Sequence, residues 1–300
     1  GLLVENQFAG GGTGFLAGFK TPIMYNIGDS GMKAGVVPFL TDGLGASYGF
    51  ELLNTGAVRN VRVSEHRNET SSHQYVFFNT AGAASGLAFA LYDSKFNVAY
   101  TKYSPHHLIE AGSNVGGLDS GLIRAVWTPT FGDFALGVGV QSYVGTNVRL
   151  VDAAGVVTTA DTKGTGIDVQ AQGVVGDMPV GIYFTHATAP GSTTTSPNLF
   201  NANANERKAM TLLAEFGIVP NKVMVLAAYR VADNGAASNS TDNAWTLGGK
   251  YHMAQNVQLS INHSVRTGDT GRYGNNSTTA GVTGADGGSS MTTFMLAMGF

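Results

Sequence analysis

The chain has 300 residues with a net charge of -3, no cysteine, 43% hydrophobic residues and only 12% charged residues. Since typical globular chains carry about a quarter charged residues, this deficit indicates that much of the surface does not face water. The absence of cysteine excludes a disulfide-stabilised module and a thiolate metal site, and the lack of a basic stripe argues against a nucleic-acid partner. No run of about 18 apolar residues is present, which excludes spanning helices and leaves the β-barrel as the structure for lipid contact.

The N-terminal third has the weakest periodicity. Residues 25–65 form a long non-periodic stretch with many glycines and several acidic residues, which predicts a loop. Residues 70–79 and 85–104 are predicted to pair as strands. Within 85–104 the apolar positions change from odd to even across Asp93, which allows one bulged strand or two strands joined by a tight turn. We prefer one bent strand, because the long connections then all lie on one side of the membrane.

From residue 120 onwards, two-faced segments of about ten residues alternate with short turns and long polar connections. The predicted strand pairs are 120–129 with 132–143, 165–174 with 178–189, 206–217 with 221–232, and 243–253 with 256–267. The long connections are 144–164, 190–205, 233–242 and 268–288. Short turns on one side and long loops on the other are typical of outer-membrane barrels.

The faces of these strands have opposite chemistry. In 165–174, Ile167 and Val169 alternate with Asp168 and Gln170, and the last strand carries Phe294, Leu296, Met298 and Phe300 on one face. Aromatic residues near strand ends predict a girdle at the headgroup level: Trp127, Tyr143, Tyr183, Tyr229, Trp245 and Tyr251. The competing interpretation of the same alternation is a soluble all-β protein.

Several segments resemble general trimeric porins of the Gram-negative outer membrane. Residues 6–24, with Gly18 and Thr21-Pro22, are similar to the strand pair before the porin constriction loop, although Phe19-Lys20 replaces the usual basic pattern. The stretch 25–65 is positioned like the loop that folds into the barrel, the run from Arg67-Asn68 to Gln74-Tyr75 resembles the strand that leaves it, and the chain ends on Phe300.

The resemblance implies an all-β transmembrane antiparallel β-barrel over 1–300, with sixteen strands in the full protein. We count about thirteen strands in this sequence and expect that about three N-terminal strands are missing from it. The resemblance further implies a homotrimer in contact with outer-membrane lipid, a channel for passive diffusion of small hydrophilic solutes and ions, and no enzymatic activity or cofactor.

Charged side chains that project into a pore set its selectivity, so the candidate site residues are the charges on the polar strand face and on the inserted loop. The predicted basic wall residues are Lys20, Arg124, Lys250 and Arg266, with Arg230 as a further candidate and with Arg62 and Arg67 where the loop rejoins the wall. The predicted acidic residues on the loop are Asp29, Asp42 and Glu51. A basic wall opposite an acidic loop predicts a transverse field; the alternative for each residue is a paired lumen charge away from the constriction.

Other chemistry has little support. His106, His107 and Glu110 are three potential metal ligands within one loop, which is common without a second cluster, so no metal site is predicted. No nucleophile elbow or Ser, His and Asp trio has the required context, so no catalytic residue is predicted. The alternative function is a structural, adhesive or scaffold barrel that encloses or binds a partner, which needs no opposed rows of lumen charge.

Overall fold

The computed structural model describes residues 3–5, 18–41, 70, 72–81, 84–105, 117–151, 156–269 and 289–298. One helix, α1 (Ser72–Ala81), and eighteen strands lie in these ranges. The strands of the N-terminal half are β1 (Leu3–Glu5), β2 (Gly18–Lys20), β3 (Ile23–Asn26), β4 (Lys33–Thr41), β5 (Ala84–Tyr92), β6 (Phe96–Ser104), β7 (Ser120–Trp127), β8 (Thr130–Phe131) and β9 (Phe134–Val144). Those that follow are β10 (Val148–Val151), β11 (Val157–Ala160), β12 (Gly164–Val175), β13 (Met178–Ala189), β14 (Arg207–Val219), β15 (Val223–Asp233), β16 (Asn243–Ala254), β17 (Val257–Thr267) and β18 (Ser290–Met298).

Sixteen of these strands form one antiparallel sheet in which each strand pairs with its neighbours in the chain. Fourteen strands follow one another along the sheet. The short strand β3 follows β2 in the chain and also pairs with β4, and β8 follows β7 and also pairs with β9. Strands β10 and β11 form a separate hairpin in the connection between β9 and β12. Short turns and long connections alternate along the chain, so all the long connections leave the same end of the sheet.

The two faces of the sheet differ as the alternation predicts. On β12, Ile167 and Val169 are 45% and 42% exposed, whereas Asp168 and Gln170 are 2% and 7% exposed. The same pattern on β17 exposes Leu259 and Ile261 and buries Ser260, Asn262 and Ser264. The exposed face is therefore apolar and suited to lipid, and the buried face is polar and lines the interior. The helix within the described ranges is neither long nor apolar enough to cross a bilayer.

Four of the six predicted girdle residues project outward or are half-exposed: Trp127, Tyr229, Trp245 and Tyr251. The prediction was wrong for the other two, because Tyr143 and Tyr183 are only 4% and 6% exposed and lie on the inner face. Nearness to a strand end does not determine which face of the sheet a side chain occupies.

The preferred reading of 85–104 as one bent strand was also wrong. A tight turn at 93–95 divides this range into β5 and β6. The Asp93 carboxylate accepts hydrogen bonds from the backbone N–H groups of Lys95 (2.6 Å) and Phe96 (3.0 Å), so its side chain replaces the backbone partners that the turn removes. The change of apolar phase therefore marks a hairpin rather than a bulge.

The two segments around the predicted loop differ from expectation. Residues 33–41 form strand β4, so the part of 25–65 up to Thr41 belongs to a hairpin, and 42–65 lies outside the described residues. The range 70–79, predicted as a strand, instead contains most of α1. The helix was not predicted because its side chains are buried on several sides, so the sequence has no 3.6-residue apolar period. These corrections raise the strand count from about thirteen to the fourteen that follow one another along the sheet.

Candidate functional site

An ion pair joins two strands of the inner wall across a third. The Arg124 guanidinium on β7 contacts the Asp168 carboxylate on β12 with both terminal nitrogens, at 2.7 and 3.0 Å, and also donates to the Gln141 amide oxygen at 3.3 Å. Strand β9 lies between them and presents Gly139, where an added Cβ would be 2.5 Å from the Arg124 Nη2 atom. The missing side chain makes room for the pair, and both charged groups are almost fully buried.

A second ion pair lies between β14 and β16. The Lys250 ammonium contacts the Glu215 carboxylate, and both side chains are buried. The Tyr183 hydroxyl donates to Glu215 Oε2 at 3.4 Å and accepts a hydrogen bond from the Gln172 side-chain amide at 2.9 Å. A continuous polar network therefore crosses the inner wall from β12 to β16.

A third cluster lies towards the end of the wall from which the long connections leave. Asp242, next to the start of β16, accepts hydrogen bonds from Arg230 of β15 at 3.0 Å and from Arg266 of β17 at 2.6 Å. The carboxylate is buried together with Arg230, and Arg266 is half-buried. Because charges are costly to bury without partners, each of the three clusters combines acid and base.

The helix α1 lies inside the barrel against β13 and β14. Its Ser72 hydroxyl is 2.6 Å from the Thr211 hydroxyl, which in turn donates to the Thr70 carbonyl. Two guanidinium groups lie over the Tyr75 ring, with Arg207 at 4.5 Å and Arg230 at 4.4 Å from its centre. Burial raises the pKa of the Tyr75 hydroxyl, which is therefore neutral. The electron-rich ring attracts both guanidinium cations.

Apolar contacts hold the other side of α1. Phe77 packs against Tyr143 and Phe200, with ring centres 4.6 and 5.0 Å apart. Two glycines of β12 admit the helix, since an added Cβ at Gly164 would be 2.5 Å from the Phe77 ring and one at Gly166 would be 2.7 Å from the His73 ring. The helix thus occupies a recess that these two residues leave in the wall.

His73 lies beside the first ion pair. It is 3% exposed, and the charged groups that face it are Asp168 of β12 and Arg124 of β7. Burial lowers the pKa of His73 from 6.5 to about 4, against an opposing contribution from Asp168, while Arg124 adds to the decrease. The imidazole is therefore neutral at physiological pH, and α1 is docked in that state.

The predicted site residues are distributed as follows. Arg124, Lys250, Arg266 and Arg230 all lie on the inner face and each pairs with a carboxylate of the wall itself. The predicted position of Asp29 on an inserted loop was wrong, because Asp29 is exposed in the tight turn between β3 and β4.

The other predicted positions are described in part or not at all. Lys20 ends β2 and pairs in register with Phe39, but its side chain is not described. Arg62, Arg67, Asp42 and Glu51 lie outside the described residues. The metal candidates His106, His107 and Glu110 do so as well, and no potential metal cluster occurs in the ranges that the structure describes.

Sequence reasoning did not identify the acidic members of the site. The alternation predicts Asp168 on the polar face of its strand, but neither Asp168 nor Glu215 is among the predicted site residues, and Asp242 falls in the predicted long connection 233–242. The alternation of β12 and β14 places Asp168 and Glu215 on the inner face, so their orientation could have been predicted from the sequence. Their partners lie two strands away across the sheet, and no spacing in the sequence reveals that contact.

No protein-family model matches the chain, and comparison with curated proteins finds no similar sequence. Among solved structures, the chain is similar to OmpT, an outer membrane protein of Vibrio cholerae, in its in-vitro folded trimer form, with a TM-score of 0.51 and 13% identity over 99% of this chain and 94% of that one. The fold is that of an outer-membrane β-barrel. The predicted fold class and bacterial outer-membrane location are confirmed.

Two further solved structures show weaker similarity. The outer membrane channel DcaP of Acinetobacter baumannii has a TM-score of 0.44 and 12% identity, over 84% of this chain and 78% of that one. A BenF-like porin from Pseudomonas fluorescens Pf-5 has a TM-score of 0.44 and 12% identity, over 84% of this chain and 62% of that one. Identities this low bear on the fold alone.

The recess that holds α1 can be tested by filling it. We expect Gly164→Val to displace the helix, because the new side chain would occupy the position of the Phe77 ring and overpacking costs about 1–3 kcal/mol. Hydrogen exchange of the α1 amides should become faster while the strands of the barrel stay protected. Thr165→Val, one residue further and on the exposed face, is the matched control, and equal exchange in both variants would contradict the proposed packing.

Acidification should also weaken the docking of α1. The detached helix binds a proton on His73 near pH 6.5 and the docked helix only near pH 4, so docking is strongest above 6.5 and loses roughly 3 kcal/mol as the pH falls through this window. Exchange of the α1 amides measured between pH 7 and 4, corrected for intrinsic rates, should report this loss. A His73→Gln variant should lack the pH dependence, and an unchanged dependence in that variant would assign it to another group.

Proposed function

We propose that the barrel is a water-filled channel for passive diffusion of small hydrophilic solutes and ions, without enzymatic activity. The observation that carries the proposal is the chemistry of the inner wall, where Arg124–Asp168, Glu215–Lys250 and the Asp242 cluster face inward while the outer face is apolar. Burying charged groups is costly, and a barrel that served only as a lipid-facing support would not need them on its inner face. A channel uses such groups to replace part of the hydration of the solutes that pass.

The helix α1 narrows this channel from one side. It packs on β13 and β14, and its Tyr75 covers Arg207 and Arg230, so part of the basic surface is occupied by the helix. The described basic residues Arg124, Arg230, Lys250 and Arg266 each pair with a neighbouring carboxylate of the wall. We therefore infer weak ion selectivity that is set by local pairs, in place of the transverse field predicted for these residues from the sequence.

A homotrimer is the assembly that we propose. The OmpT structure from Vibrio cholerae that is similar over 99% of this chain is described as a trimer form. The outer face provides exposed apolar side chains on many strands, so part of it can face protein and part can face lipid. Closure of the channel in three equal steps is the expected signature.

The experiment is conductance of the purified protein in planar bilayers, with reversal potentials in a salt gradient. Wild type should form discrete, weakly selective channels. Glu215→Gln removes the charge that balances Lys250, so its selectivity should shift towards anions. The control Ile261→Val changes only the lipid face and should leave the reversal potential unchanged.

Two results would count against the channel. If the folded wild-type protein forms no conducting unit, the barrel encloses or binds a partner instead. If channels form but Glu215→Gln and Ile261→Val share one reversal potential, the inner ion pairs do not face the permeating ions.

A further inference from the structure

A groove with a cavity volume of about 720 Å³ opens at the end of the barrel from which the long connections leave. Its sides are the β11 strand and the connection between β13 and β14. The size is within the range of about 300–1,000 Å³ that is typical of small-molecule sites. For an outer-membrane barrel the long connections face the outside of the cell, so the groove is open to the external medium.

The lining of the groove is uncharged and amphipathic. Hydroxyl groups come from Thr158, Thr159, Ser192, Thr193 and Thr194, and an amide comes from Asn198. Between them lie the apolar surfaces of Pro197 and Leu199 and three alanines. Among the described residues, no lysine, arginine, aspartate or glutamate lines the cavity, so a charged ligand would lose hydration without gaining an opposite charge from them.

Buried polar side chains behind the lining hold the groove in place. Asp161, Asn198 and Asn201 are 4%, 5% and 1% exposed. The Asn198 amide nitrogen donates to the carbonyls of Lys163 and Pro190, both at 2.9 Å, which joins the two connections that form the groove.

Further contacts behind the lining hold the same two connections. The Asn201 amide nitrogen donates to the Asn205 carbonyl at 2.7 Å. The Asp161 carboxylate accepts from the Lys163 ammonium at 2.7 Å and from the Ser196 hydroxyl. The hydroxyl groups of the lining are therefore presented by a fixed backbone, which lowers the entropic cost of binding.

The connection between β13 and β14 that lines the groove also contacts α1 and the inner wall. Phe200 lies in the same connection and packs against Phe77 of α1 and Tyr143 of the wall. The Arg207 guanidinium donates to the Phe200 carbonyl at 3.5 Å, so the connection is also attached to the start of β14. These contacts fix the connection, and with it one side of the groove, to the inner wall.

We propose that this groove binds a short neutral oligosaccharide from solution. A sugar presents hydroxyl groups at the edges of its rings and C–H groups on their faces, and the groove offers the hydroxyl groups of Thr158, Thr159 and Thr194 beside methyl and methylene surfaces. An acidic sugar is disfavoured because no cation is present among the described lining residues, and a purely apolar ligand would displace water from the Thr158, Thr159 and Thr194 hydroxyl groups without replacing its hydrogen bonds. The site is independent of the channel proposal, since binding requires no conduction.

The test is saturation-transfer NMR on the purified full chain in detergent, with maltotriose as the neutral probe and trigalacturonate as a charged probe of the same size. Maltotriose should bind and trigalacturonate should not. Ala202→Trp adds an indole within the groove at an exposed position and should abolish the maltotriose signal. Thr194→Val removes one hydroxyl at constant shape and should weaken binding roughly two- to tenfold.

Thr195→Val is the matched control, because Thr195 is the next residue and does not line the groove. It should bind maltotriose as wild type does, and all variants should show the wild-type circular dichroism spectrum. Maltotriose binding that persists in Ala202→Trp would place the sugar in the lumen and overturn the proposal. Equal binding of trigalacturonate, or binding only of a glycan that is linked to lipid, would also overturn it.

Discussion

The structure depends on the requirement that every backbone N–H and C=O group inside a bilayer be paired, because no water is present to satisfy it. An antiparallel sheet in which each strand pairs with the next meets this requirement, and the chain follows it through fourteen successive strands. Side chains then alternate between two environments, so one face must be apolar and the other can be polar. The low charged fraction of 12% follows, because the exposed face of the wall strands is apolar.

The same alternation of side chains brings charged groups together on the inner face. Charges that project inward, such as Arg124 and Lys250, are shielded from bulk water by the wall and α1, and they are stable because carboxylates of nearby strands neutralise them. Glycines at 139, 164 and 166 leave the space that the guanidinium and the helix occupy. The wall and its inserted helix are thus fitted to each other, and the same residues that stabilise the barrel define the surface that a solute would meet.

Most of the wall could be predicted from the sequence, because a period of two is a local property. The strand pairs from residue 120 onwards and the faces of β12 and β17 were predicted on that basis. The errors fell where local pattern is ambiguous: α1 has no apolar period since it is buried on several sides, and the hairpin at Asp93 produces the same phase change as a bulge. The acidic partners could not be predicted, because Asp168 and Glu215 meet their bases across an intervening strand.

The central claim is that alternate residues of each wall strand face lipid and the interior, and labels along β12 test it most directly. The chain contains no cysteine, so single cysteines can be placed from Thr165 to Gln172 and spin-labelled in lipid vesicles. The account predicts that labels at odd positions collide with oxygen dissolved in the bilayer, while labels at even positions do not. Accessibility to a water-soluble nickel reagent at every position, without alternation, would contradict it.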